Sequence, residues 1–485
     1  MNYRMIFHML GIVLFCLAAL MIFPVIVALC FGESCKAFVI VIALTLAVAA
    51  VFFSIKPKTN RIFAREGFAI VSLSWILISL LGALPFCISG DIPSYVDAFF
   101  ETVSGFTTTG ATIINDIEGL SRACAFWRPF THWIGGMGFL VFVMAVLPLS
   151  GEHSMHIMRA EVPGPVVDKL VPKAKKSAMT LYLIYVVLTL VEAVFLMAGG
   201  MSFFEALVHS FSTAGTGGFS TRQASIASFH SVYIEIVIAV FMLIFSLNFN
   251  LYFLMVRKYF REALKSEELR WFLAIVFSAV IMIAINITGY YGSFRTALRH
   301  SFFNVSSVIS TTGFGTEDFD LWPETSKWIL LSVMLVGGCA GSTAGGLKMS
   351  RVMIIIKSAF IDIHRMVHPR NINIVRINKT AVNRDTIEAS KTYFMLYMLA
   401  IVLGALLISF DGFGVETSFT ASLSCLSNVG PGMAKVGPSG NYAIFSSFSK
   451  IVLSIEMLMG RLEIYPVVIL LYPQFWRAEK KIKKV

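Results

Sequence analysis

Hydroxyl residues and glycines gather at four places in an otherwise apolar chain: SGFTTTGAT at 104–112, HSFSTAGTGGFST at 209–221, SSVISTTGFGTED at 306–318 and CLSNVGPGMAKVG at 425–437. Matched on one central glycine, their cores read Thr108-Thr109-Gly110, Thr213-Ala214-Gly215, Thr311-Thr312-Gly313 and Asn428-Val429-Gly430. Those glycines lie 105, 98 and 117 residues apart, too far for a solenoid repeat and suited to a duplicated membrane unit. The chemistry such turns offer is that of oxygen. Glycine tolerates backbone dihedrals closed to other residues, so an extended Thr/Ser-rich stretch can turn its carbonyls toward a common axis. Four such stretches around one axis would make a ring of oxygens able to replace a cation's hydration shell.

To hold these turns, the sequence supplies the same elements each time. A short amphipathic segment precedes every core: VDAFFETVSGF, FFEALVHSFS, FRTALRHSFFNVSSVI and VETSFTASLSCLS. Each is too short to cross a membrane and too apolar for a surface loop, so a re-entrant helix ending mid-membrane is expected, its C-terminal carbonyls facing the membrane centre. Apolar runs flank these segments near 5–30, 37–55, 67–90, 126–150, 178–200, 230–256, 271–291, 327–360, 392–410 and 444–472, the later ones interrupted. Runs of that length cross about 30 Å of hydrocarbon. With 57% hydrophobic residues, 14% charged and a mean hydropathy of +0.79, the chain reads as an all-α polytopic membrane protein. It comprises two N-terminal helices (1–60), four span–pore-loop–span units (61–160, 161–262, 263–362 and 392–485, the last with the C-terminal tail) and a linker at 363–391.

Charge sets the expected orientation. Of 39 Lys and Arg residues, 29 fall in 56–66, 151–177, 257–270, 348–391, the tail after Trp476 and Arg4, which the positive-inside rule makes cytoplasmic together with both termini. The net charge of +11 is thereby explained by topology and anionic lipid headgroups, without nucleic acid. The basic stretch 361–391 is the best candidate for docking a cytoplasmic partner. Seven cysteines form no CxxC or metal-ligand spacing, although Cys30 and Cys35 flank an outer loop and could pair.

Two further features lie below the turns. The eighth span contains GGCAGSTAGGLK, whose Gly337, Gly338, Gly341, Gly345 and Gly346 make a poor helix at up to about 1 kcal/mol each, so a loop is expected. A nucleotide-binding P-loop fails, because Leu347 stands where Lys belongs and Met349 where Ser or Thr belongs. Arg461, in LSIEMLMGRLEIYPVVILLY, is a charge inside the last span, facing either a cavity or a partner such as Glu456 or Glu463. Asp116, Glu118, Glu317, Asp318, Asp320 and Glu324 are either solvated loop charges or a ring at the outer mouth. His132 reads as an interfacial or core residue. No acid–base or metal constellation in the spans suggests an enzyme, and a covalent cofactor is not expected.

The four ordered motifs and two downstream ones resemble the Trk/Ktr/HKT superfamily of potassium transporters over nearly the whole chain, and its bacterial TrkH branch in particular. The third core comes closest to the TVGYG pattern of potassium filters. The first lacks the second glycine and the fourth carries Pro431, which predicts a less selective ring. The resemblance implies a pseudo-fourfold potassium-channel-like pore in a bacterial inner membrane, with K⁺ as the transported ion at the filter residues. It also implies a homodimer and a cytoplasmic, TrkA-like nucleotide-binding regulatory subunit. By the same resemblance the glycine-rich loop obstructs the inner path and Arg461 is an electrostatic barrier in it. A secondary transporter coupled to H⁺ or Na⁺ is the alternative, although the four units share one orientation and no inverted repeat is evident.

Overall fold

A computed structural model describes residues 1–57, 63–138, 174–370 and 373–476. Helices α1 (Tyr3–Leu20) and α2 (Ile22–Cys30) run on as one apolar stretch, Tyr3–Cys30, beside α3 (Lys36–Ser54). Gly11 lets α1 and α3 meet closely, since a Cβ there would lie 2.7 Å from the Phe53 amide nitrogen.

Four units of like design follow. The first is α4 (Ala64–Ser89), α5 (Tyr95–Phe106) and α6 (Arg122–Gly136). The second is α7 (Ala174–Ala198), α8 (Phe203–Gly215), α9 (Val232–Ser246) and α10 (Phe249–Val256), followed by the short α11 (Phe260–Leu264). The third is α12 (Glu267–Tyr291), α13 (Phe294–Ile309), α14 (Glu324–Val336) and α15 (Met349–Val367). A hairpin of β1 (Arg376–Ile377) and β2 (Thr380–Ala381) leads to the fourth: α16 (Arg384–Ile408), α17 (Val415–Ser427), α18 (Ser447–Arg461), α19 (Tyr465–Leu471) and α20 (Pro473–Trp476).

The long first helix of each unit shows why the sequence crosses a membrane. On α7, Leu183, Val187, Leu190 and Val194 are exposed while Tyr185, Thr189, Glu192 and Leu196 are buried. The apolar stripe faces outward and the polar groups face protein, as lipid surroundings require. The short helices α5 and α8 are started by Ser94 and Ser202, whose hydroxyls accept the amides of Asp97 at 3.4 Å and Glu205 at 3.3 Å. Each short helix also packs on the second helix of the preceding unit: α8 on α6, α13 on α9, α17 on α14 and α5 on α18. That packing closes in a circle.

The second spans differ from the uninterrupted helices read at 126–150 and 230–256. Six continuous spans are present among the described residues, the two leading ones and the first helix of each unit. The second helix of every unit stops halfway. The α6 helix ends at Gly136, with Gly138 at φ 83°, and the expected remainder to 150 lies outside the described residues. A bend of 92° separates α9 from α10, residues 337–348 separate α14 from α15, and Glu463 and Ile464 break α18 from α19 at φ 61° and 63°.

Candidate functional site

Every short helix ends in a residue of left-handed conformation: Thr108, Thr216 and Thr311 at φ 56° and Asn428 at φ 55°. The next amide, of Thr109, Gly217, Thr312 or Val429, donates to the carbonyl of a serine five residues back, at 2.9, 2.8, 2.9 and 3.0 Å. A glycine of positive φ then follows, Gly110, Gly218, Gly313 or Gly430. The turns therefore match residue for residue. They also interlock, because a side chain at Gly110 would run into the carbonyl oxygen of Gly217, at Gly218 into that of Thr312, at Gly313 into that of Val429 and at Gly430 into that of Thr109. The fourth contact returns to the first unit, so the backbone forms a closed ring.

In the second unit the ring uses different residues from those read in the sequence. Thr213, Ala214 and Gly215 form the last turn of α8, and Thr216-Gly217-Gly218 is the counterpart of Thr108-Thr109-Gly110. The motif STAGTGG offers the Thr-x-Gly pattern twice, ending at Gly215 and again at Gly218. The Gly-Phe pair shared by Gly218-Phe219 and Gly313-Phe314 is the signal that sets the register three residues later. The other nine residues, Thr108, Thr109, Gly110, Thr311, Thr312, Gly313, Asn428, Val429 and Gly430, all lie at the ring.

Above the ring is a cavity of about 420 Å³ lined by all four turns and by Glu317 and Asp318. The acids at 116, 118, 320 and 324 do not line it; Asp320 instead accepts the Ala434 amide at 3.1 Å and Glu324 pairs with Lys327 at 2.8 Å. Burial pushes the Glu317 carboxyl above its usual pKa, against the pull of Arg299. His132 is a core residue, stacked 4.2 Å from Phe219 behind the second turn.

Below the ring, Gly337, Gly338, Gly341, Gly345 and Gly346 all fall in the non-helical segment 337–348. It begins at Gly337, whose φ of 68° ends α14, and it bonds to the bases of the turns: the Gly345 amide to Thr311 Oγ1 at 2.6 Å and the Gly346 amide to the Ser427 carbonyl at 2.9 Å. Sideways it meets the α9–α10 break, where Cys339 donates to Ser246 at 2.9 Å and Phe249 donates to Gly341 at 3.0 Å.

Arg461 ends α18 against this segment. Its guanidinium donates to the carbonyls of Thr343 at 3.0 Å, Gly136 at 2.6 Å and Gly135. Both carboxylates near it in sequence are engaged elsewhere, Glu463 with Arg351 and Glu456 with the Ser422 hydroxyl at 2.7 Å. The carbonyls of Gly135 and Gly136, at the C-terminal end of α6, carry the negative end of a helix dipole and suit a cation. Sequence reasoning missed the Arg351–Glu463 pair, in which Arg351 also stands 3.9 Å from the Tyr393 ring centre. Its members are 112 residues apart, and no local pattern joins them. Among the described residues no group of His, Cys, Asp and Glu side chains could hold a metal ion, and Cys30 and Cys35 are free thiols.

The family described as "TrkH: Cation transport protein" matches residues 34–477. The Trk system potassium uptake protein TrkH of Halomonas elongata is 36% identical, the match covering 98% of this chain and 100% of that protein. Its namesake in Escherichia coli is 35% identical with the same coverage. The crystal structure of the potassium transporter TrkH from Vibrio parahaemolyticus aligns with a TM-score of 0.88 at 33% identity, over 98% of this chain and 100% of that one.

Proposed function

The chain belongs to the TrkH family of cation transport proteins, and from that premise we propose that it is a potassium uptake protein whose ions pass passively through the ring of four turns. The observation that carries this reading is the interlocking of Gly110, Gly218, Gly313 and Gly430 with the carbonyls of Gly217, Thr312, Val429 and Thr109. A cation leaving water needs replacement oxygens, and backbone carbonyls supply them without bringing titratable charge into the membrane. Four short helices aim their C-terminal ends at the same region and add the negative pole of each dipole.

Beneath the ring, segment 337–348 and Arg461 act as the obstruction that regulation must move. Their bonds to Thr311, Ser427 and Thr343 support this role. The positive-inside pattern supports cytoplasmic termini, a ring nearer the outer face and a cytoplasmic basic stretch 361–391; the family match supports a bacterial inner membrane and a TrkA-like nucleotide-binding subunit docked on that stretch. The functional unit is a homodimer in contact with membrane lipid.

The test is ion preference. Gly313→Ala, and the same change at Gly110, Gly218 or Gly430, forces a side chain onto a neighbouring carbonyl at a strained φ. Rb⁺ uptake into liposomes, with Na⁺ and Li⁺ as competitors, should show a preference reduced by about tenfold or more, a loss of about 1.4 kcal/mol. Unchanged preference in all four variants would remove the ring from the ion path.

A further inference from the structure

Behind the first two turns lies an ion pair that the ring itself does not require. Arg128 on α6 and Glu101 on α5 have side chains 1% and 0% exposed, and Nε donates to Oε1 at 2.8 Å. Glu101 also accepts the Thr112 hydroxyl at 3.0 Å and the Ile113 amide at 3.0 Å, gripping the strand that leaves Gly110. Arg128 reaches past it. Its Nη2 donates to Thr112 Oγ1 at 3.2 Å, its Nη1 donates to the Ser220 carbonyl at 3.4 Å, and its guanidinium carbon lies 4.1 Å from the Phe219 ring centre. One guanidinium thus ties the first turn to the second across a unit boundary.

Among the described residues, the other units carry no acid at the matching position. Seven residues before the left-handed position, where the first unit has Glu101, the second has His209, the third Asn304 and the fourth Ala421. His209 Nε2 sits 2.9 Å from the Ser220 hydroxyl. Asn304 donates to the His300 carbonyl of its own helix at 3.0 Å, and Ala421 has no polar group. Removing two charges from water costs several kcal/mol per ion, and a buried pair returns little net stability. Such a pair behind two turns of four calls for an account other than stability.

We propose that the Arg128–Glu101 pair determines ion specificity by fixing the first and second turns at one separation, so that the ring cannot contract onto Na⁺. The two residues position the ring; Arg128 also borders the cavity above it, whereas Glu101 does not. The inference rests on reading the ring as the ion path. The guanidinium fork is the working part, because a lysine ammonium is a point donor that cannot hold Glu101, Thr112 and Ser220 together.

The test uses the full-length protein in liposomes, with Rb⁺ uptake competed by Na⁺ and thermal unfolding recorded on the same preparation. Arg128→Lys keeps the charge and is expected to make Na⁺ about tenfold more competitive in folded protein. A double variant, Arg128→Met with Glu101→Gln, removes both charges and strands neither; the same loss of preference is expected. Wild-type preference in a folded variant of either kind overturns the proposal, as does failure of both to fold, which would make the pair purely structural. Gly110→Ala, Gly218→Ala, Gly313→Ala and Gly430→Ala, run alongside, distinguish the two readings. If all four too leave preference unchanged, the ring reading has failed; if they alone shift preference, only the brace has.

Discussion

Arg461 sets a full positive charge among the carbonyls of Thr343, Gly135 and Gly136, beneath the turn that begins at Asn428. A cation about 6 Å from a guanidinium is repelled by about 2 to 3 kcal/mol at an effective dielectric near 20, enough to change flux more than tenfold. Arg461→Ala should therefore raise K⁺ flux per folded molecule by about tenfold or more, while the Thr343 and Gly136 carbonyls, losing the Arg461 donor, lower stability by roughly 1 to 3 kcal/mol. Arg461→Lys keeps the charge and gives up the bridge to Thr343. Wild-type flux in that variant assigns the effect to repulsion; flux as high as in the alanine variant assigns it to release of segment 337–348. A destabilised alanine variant with normal flux would end the barrier reading. At this scale the sequence was legible wherever a residue type forces a backbone state, as at Gly110, Gly313 and Gly430. It misled at Gly215, because two glycines three residues apart satisfy the same local rule, and the choice of Gly218 shows only in the Gly-Phe pair it shares with the third turn and in its contact with the Thr312 carbonyl. The partners of Arg461 were illegible for a similar reason: backbone carbonyls 118 and 326 residues away leave no side-chain pattern to read.

Helices long enough to span were read correctly where they are continuous. The broken ones were read correctly only where glycine breaks them. Segment 337–348 announced itself through five glycines, whereas the α9–α10 bend falls at Leu247 and Asn248, where no glycine or proline marks it. There the break is stabilised by partners distant in sequence, the Gly341 carbonyl accepting the Phe249 amide and the Ser246 carbonyl accepting the Cys339 amide. The α18–α19 break likewise holds Glu463 and Ile464 at positive φ, where a β-branched residue is strained. Arg351, bonded to Glu463, supports it from α15. Shortening segment 337–348 by deleting Gly341 to Gly345 should leave the long first helices intact and give higher, unregulated Rb⁺ flux in liposomes. A folded deletion variant without flux would make the segment part of the permeation scaffold instead of its obstruction.

For the molecule as a whole, the passive reading predicts that K⁺ flux into liposomes follows the K⁺ gradient and the membrane potential alone. Imposing an inward proton gradient at fixed potential should leave the initial rate unchanged. A rate that rises with that gradient would replace passive permeation with H⁺ coupling. The four-unit plan was visible in the sequence because duplication repeats the order of span, short helix and turn. The closure of the units was not, since it depends on contacts such as Gly430 against Thr109, which join the two ends of the chain. That closure within one polypeptide has a consequence for how such a pore can evolve. A pore of four identical chains must place every substitution in all quadrants, so a segment like 337–348 would appear four times over and crowd its own axis. With the quadrants covalently concatenated, one can carry the obstruction, another the Arg461 charge and a third the Arg128 fork. Symmetry is kept in the backbone and surrendered in the side chains, and each quadrant is free to be selected for a separate task.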